Sequence, residues 1–174
     1  SELDNLNSGL PVLSAVPRES IQRIEITTVH EQIVLNQEIS AEQRELHELG
    51  SWSLLSPIEA EADIASIRTL VAIFRKETPI DARLETGNLK EYGLDANNRI
   101  VIEVFTDTEE PTLSYVLGFD VTGSNGATYL KLSGSDDVYR AHIGGRARYE
   151  KKGTDWRNRV VLGFEHEDAV SLSV

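Results

Sequence analysis

The sequence predicts an α+β fold: a mostly antiparallel β-sheet of roughly six to eight strands, packed on one face by one main amphipathic helix at about residues 63–75. Three observations predict it. Apolar residues alternate with polar ones in IQRIEI and in four segments after position 99. Polar or glycine-containing turns separate those segments, and a single stretch between them changes to helical spacing. The chain of 174 residues is 40% hydrophobic and 26% charged, enough to build a core rather than remain disordered.

The elements follow in order. Residues 1–20, with Gly9, Pro11 and Pro17, read as a linker or loosely attached arm ahead of one domain over 21–174. Ile21, Ile24 and Ile26, then IVL at 33–35, form two strands joined at His30-Glu31-Gln32. Residues 38–49 are charged and form a short helix or a solvated excursion. Trp52, Leu54 and Leu55 make a third strand, closed by Pro57. Two helix starts compete: the capping box Ser56-Pro57-Ile58-Glu59, and Asp63. Asp63 is favoured, because the stripe Ile64, Ile67, Leu70, Val71 and Phe74 begins only after it. Strands at 100–105, 113–119, 127–132 and 138–143 then form a meander, followed by a basic stretch, Trp156 and VVLGF at 160–164. The closing AVSLSV is either an edge strand or the opening of a second repeat, since Leu172 and Val174 can be laid on Ile24 and Ile26.

Composition excludes several classes. Without cysteine there are no disulfides, thiolate metal sites or cysteine nucleophiles. No run approaches the roughly 18 apolar residues of a membrane span. The chain has no methionine, so Ser1 is not a natural start and residues 1–174 read as part of a longer protein. A net charge of −12 argues against nucleic acid as a partner. That charge is uneven: residues 1–139 carry a net −14 and residues 140–159 a net +5.

Few residues invite chemistry. His30, His47, His142 and His166 form no ligand-spaced pair, so no metal is expected. The carboxylates of 107–110, 136–137 and 165–168 read as solvated loop residues, and the serines match no nucleophile elbow. No catalytic residue and no cofactor are assigned. Gly144-Gly145, beside Arg146 and Arg148, is chain punctuation or an anion-binding nest. Trp52, Tyr92, Tyr139 and Trp156 read as structural anchors. The basic segment is the functional hint. It either interdigitates with acidic loops or presents a contact surface for an acidic protein or anionic polymer, with Arg146, Arg148, Lys151 and Lys152 as its partner-binding residues.

The order of these pieces carries a resemblance over roughly residues 20–174. It rests on IQRIEI, Trp52-Ser-Leu with Pro57, Ala62-Asp63 opening the helix, Tyr92-Gly93-Leu94, Val138-Tyr139, and Asp155-Trp156-Arg157-Asn158-Arg159 before VVLGF. In these the chain resembles the bacterial domain-of-unknown-function family 4340. The resemblance implies an extracytoplasmic domain, often behind a membrane helix and often present twice, in some cases encoded beside ABC-type transport systems. It brings no catalytic residues. The charged stretch 38–49 departs from the family pattern.

The expected function is therefore a non-catalytic extracytoplasmic interaction or scaffold domain of a membrane-anchored accessory protein, linked to transport or surface assembly. Its expected partner is a protein; no small molecule is expected. The alternatives are a carboxylate-dependent hydrolase acting on cell-envelope material and a small-ligand sensor.

Overall fold

A computed structural model describes residues 10–84 and 87–158; VVLGF, AVSLSV, His166 and Arg159 lie outside the described residues. The α+β expectation holds: the described residues form a ten-stranded sheet in which every neighbouring pair is antiparallel. The strands are β1 (Val12–Leu13), β2 (Arg23–Thr27), β3 (Gln32–Glu38), β4 (Ser51–Ser56), β5 (Ala60–Glu61), β6 (Thr78–Leu84), β7 (Ile100–Phe105), β8 (Leu113–Asp120), β9 (Ala127–Leu132) and β10 (Val138–His142). Helix α1 (Ala41–Glu45) is short, and α2 (Ile64–Phe74) is the main one. The order across the sheet is β1-β6-β10-β9-β8-β7-β2-β3-β4-β5.

That order contains two four-strand meanders set back to back, β2 to β5 and β7 to β10, joined where β2 pairs with β7. Each strand is half-buried because its side chains alternate between faces. Ile24 and Ile26 face Val104 and Ile102, and the apolar row runs on through Leu35 and Leu54 on one side and Tyr115, Leu130 and Tyr139 on the other. Two segments cover this face. Helix α2 carries the chain from β5 to β6, near the opposite margin, and buries Ile67, Leu70, Val71 and Phe74. Residues 143–158 then cross back from β10 to β5, where Arg157 bridges to Ala62 and Asn158 N–H donates to the Glu61 carbonyl. Ile143, Tyr149 and Trp156 join the same core.

Asp63 is the N-cap of α2, as the apolar stripe requires, while Ser56 belongs to β4. Residues 38–49 resolve into β3's end and α1, which is capped by Ser40 and Gln43 in a reciprocal box. Within 1–20, Leu13 and Val16 are buried, and Val16 N–H donates to the Phe74 carbonyl at 2.7 Å. The strand count exceeds the expected range because β1 and β5 have two residues each, too short for any periodicity, and because β6 is masked by composition. In TPIDARL only Ile80 is buried, so the segment lacks an alternating apolar pattern. Tyr92-Gly93-Leu94 is a tight packing turn. Gly93 lies at φ 72°, and a Cβ on Gly118 of β8 would meet the Tyr92 carbonyl oxygen at 2.1 Å.

Candidate functional site

The segment that returns over the sheet is where the four predicted partner-binding residues sit, and the structure divides them. Arg146 points inward. Its Nη1 donates to the Gly118 carbonyl at 2.9 Å, its Nη2 to the Asn98 carbonyl, and its Nε to Glu150 at 3.1 Å. The Phe119 ring lies 5.6 Å from the guanidinium. Lys151 is also engaged: its Nζ donates to Ser66 Oγ, which in turn donates to Asp63 Oδ2 at 2.6 Å. This relay ties the return segment to the first turn of α2, with the ammonium 5.4 Å from the Trp156 ring. Because the Ser66 hydroxyl proton goes to Asp63, the Lys–Ser contact is arranged as a clamp rather than as an activated nucleophile.

Arg148 and Lys152 are the outward pair. Lys152 is exposed, and among the described residues Arg148 donates through Nε alone, to the Gly144 carbonyl at 2.6 Å. The nest at Gly144-Gly145 already holds an anion of its own. Both glycines have positive φ, and the following N–H, that of Arg146, donates to Asp120 Oδ1 at 2.8 Å. Asp120 takes the place a ligand carboxylate would have.

Arg148 also lines a groove of about 540 Å³ between the exposed flank of α2 and the start of the return segment. Arg68, Thr69, Ala72, Ile73 and Lys76 line it from the helix side, Thr78 from β6, His142 from the end of β10, and Ile143, Gly144 and Arg148 from beyond it. Every charged or titratable lining residue is basic, on a chain of net −12. Two acids border it: Asp81, whose Oδ2 lies 2.7 Å from His142 Nδ1, and the exposed Glu77 between Lys76 and Thr78. Arg68 and Lys76 escaped the sequence reading because each looks like the solvated side of an amphipathic helix. Yet Arg68, Ala72 and Lys76 recur at intervals of four, and residues 64–76 contain no acid at all.

The opposite sheet face is uncovered among the described residues and carries a second charged feature. Glu25 and Glu103 face each other directly across β2 and β7. Glu25 accepts from Arg23 Nε at 2.8 Å and from Gln32 Nε2 at 2.9 Å. Burial, and then the charge of Glu25, push Glu103 above the ordinary carboxylate range, with Arg23 pulling the other way.

The remaining candidates are placed as follows. His47 pairs with Glu19 and His142 with Asp81, while His30 is exposed in the β2–β3 turn. Among the described residues no three His, Asp or Glu side chains are grouped to hold a metal. Asp107, Glu109 and Glu110 are exposed in the β7–β8 turn, and Asp137 sits 3.8 Å from Arg83. Trp52, Tyr139 and Trp156 are buried, and Tyr92 packs on Tyr129 at 4.9 Å between ring centres. Tyr115 and Tyr149 share a buried hydroxyl contact of 2.9 Å, with burial pushing both phenols well above their ordinary range.

A family model described as Domain of unknown function (DUF4340) matches residues 52–174. That span takes in α2, both groove rims and the whole return segment. No curated protein and no solved structure matches the chain.

Proposed function

We propose, from the premise that the chain belongs to the family of domains of unknown function DUF4340, that it is a non-catalytic interaction module. In this reading it is the extracytoplasmic part of a membrane-anchored accessory protein, working beside a transport or surface-assembly system. It engages an acidic protein partner through the face formed by the α2 flank and the return segment. One observation carries the reading: Arg68, Lys76 and Arg148, all exposed, line one groove beside α2 on a chain of net −12, and the exposed Lys152 lies on the same return segment as Arg148. Like-signed side chains held together on a surface raise the local concentration of an oppositely charged partner and speed its encounter. Arg146 and Lys151 act behind them, fixing the segment that presents Arg148 and Lys152.

The test is site-specific photo-crosslinking in cells expressing the protein, with the crosslinker replacing Lys152. The expected result is a discrete heteromeric adduct that Arg148→Glu reduces strongly while the protein stays folded and at normal abundance. An adduct unaffected by that reversal, or none above a crosslinker placed in the β7–β8 turn, overturns the reading.

A further inference from the structure

Resting on the interaction reading above, we infer that the groove between α2 and the Ile143–Arg148 turn is built for an extended acidic peptide with apolar residues between its carboxylates. The cations of the groove are spread out. Arg68 stands on the α2 flank and Lys76 two residues beyond the helix's last residue, so their charges lie at separate points along the groove. Arg148 approaches from the return segment, anchored through Nε to the Gly144 carbonyl, which leaves its two terminal nitrogens for a ligand. The positive charge is strung along the groove rather than focused on one point.

The lining between the cations gives the second argument. Ala72 and Ile73 of α2 and Ile143 of the return segment supply apolar surface, and Thr69 and Thr78 supply short hydroxyls. Apolar surface offers nothing to a phosphodiester chain or a free phosphate, but it rewards a leucine or valine set between two acids. The backbone geometry gives the third. The groove ends beyond the carboxyl terminus of α2, where the macrodipole is negative, so any anion there, a carboxylate included, is held by side chains alone. Gly144 keeps the passage open, since a Cβ there would meet Arg148 Cδ and Ile73 Cδ1, both at 2.9 Å. The occupant that fits all three features is an acidic, partly apolar polypeptide segment.

The experiment uses the 174-residue chain and fluorescence anisotropy with a labelled octapeptide alternating glutamate and leucine. Binding should weaken steeply with added salt. Arg68→Glu/Lys76→Glu should weaken it about tenfold or more, with the neutral pair Arg68→Gln/Lys76→Gln falling between. The glutamine version of the peptide should not bind. Equal binding of the glutamine peptide, insensitivity to the helix-side substitutions, or equal competition by oligothymidylate or inorganic phosphate each overturns the inference. These helix-side changes leave Arg148 and Lys152 intact, so the two readings fail separately. A retained cellular adduct with no peptide binding removes the groove and keeps the interaction module. Peptide binding without any adduct does the reverse.

Discussion

The two halves of the sheet solve one problem by different means. Reading outward from the β2–β7 pair, each half is a four-strand meander followed by a segment that crosses the same face. The pairing strands even share a pattern, Ile24-Glu25-Ile26 against Ile102-Glu103-Val104. Each half then lends its next residues to the margin of the other: β6 pairs with β10, and Arg157 bridges to Ala62 beside β5. The crossing segments differ. The first is an eleven-residue α-helix that satisfies its own backbone. The second is interrupted by Gly144, Gly145 and Gly153 and makes only two short 3-10 turns. Without a helix, the crossing is held by long cationic side chains that donate to carbonyls beneath it and within it. Arg146 reaches the carbonyls of Gly118 and Asn98, and Arg148 that of Gly144. Part of the basic segment therefore pins the crossing in place, where α2 holds its backbone by its own hydrogen bonds.

The comparison predicts that both crossings are anchored equally deeply. Phe74 and Trp156 are 1% and 0% exposed, and each belongs to the common core. Truncating either to alanine should cost about 3–5 kcal/mol, measured by urea unfolding. A loss under about 1 kcal/mol for Trp156→Ala would show that the return segment merely rests on the sheet and would break the comparison.

Smaller effects should separate inward from outward cations. Arg146→Ala strands two carbonyls and should cost about 1.5–3 kcal/mol, the range for hydrogen bonds to a charged group. Lys151→Ala leaves the Ser66–Asp63 contact in place and should cost only about 1 kcal/mol. Lys152→Ala, fully outside this bonding, should stay within about 0.5 kcal/mol of the parent. Equal costs at positions 146 and 152 in thermal melts would contradict the division.

What the sequence made legible follows from this physics. Helix α2 announced itself because five apolar residues fall on one side of a regular period, and the strands after position 99 because burial alternates along them. Strand β6 stayed hidden because it pairs with short-lived alternation, burying only Ile80 among exposed neighbours. The basic cluster was visible as charge, but its division was not: whether an arginine faces a carbonyl or water depends on a strand residue 28 positions and a turn residue 48 positions earlier in the chain. The groove's helix rim was hidden for a related reason, since Arg68 and Lys76 gain meaning only beside Arg148, which is remote in sequence but follows β10, the strand paired with β6.

The smallest effect sits at the junction of the halves, on the uncovered face. Glu25 and Glu103 are direct cross-strand neighbours, and like charges so placed are destabilising. Glu103 has its carboxyl raised in the folded state, so on raising the pH the unfolded chain loses this proton first. Its contribution to stability therefore falls as pH rises from its ordinary value of 4.5 through the raised folded value, and remains unfavourable above it. Glu103→Gln should stabilise the domain by about 0.5 kcal/mol at pH 7, within the cross-strand pair range. The gain should vanish below pH 4.5, where both states of the parent carry the proton. Unfolding curves at the two pH values decide it. A gain that persists in acid would assign the effect to propensity rather than charge, and a loss at pH 7 would mean that Arg23 holds both carboxylates together, making the junction a bound ion cluster instead of a repulsive seam.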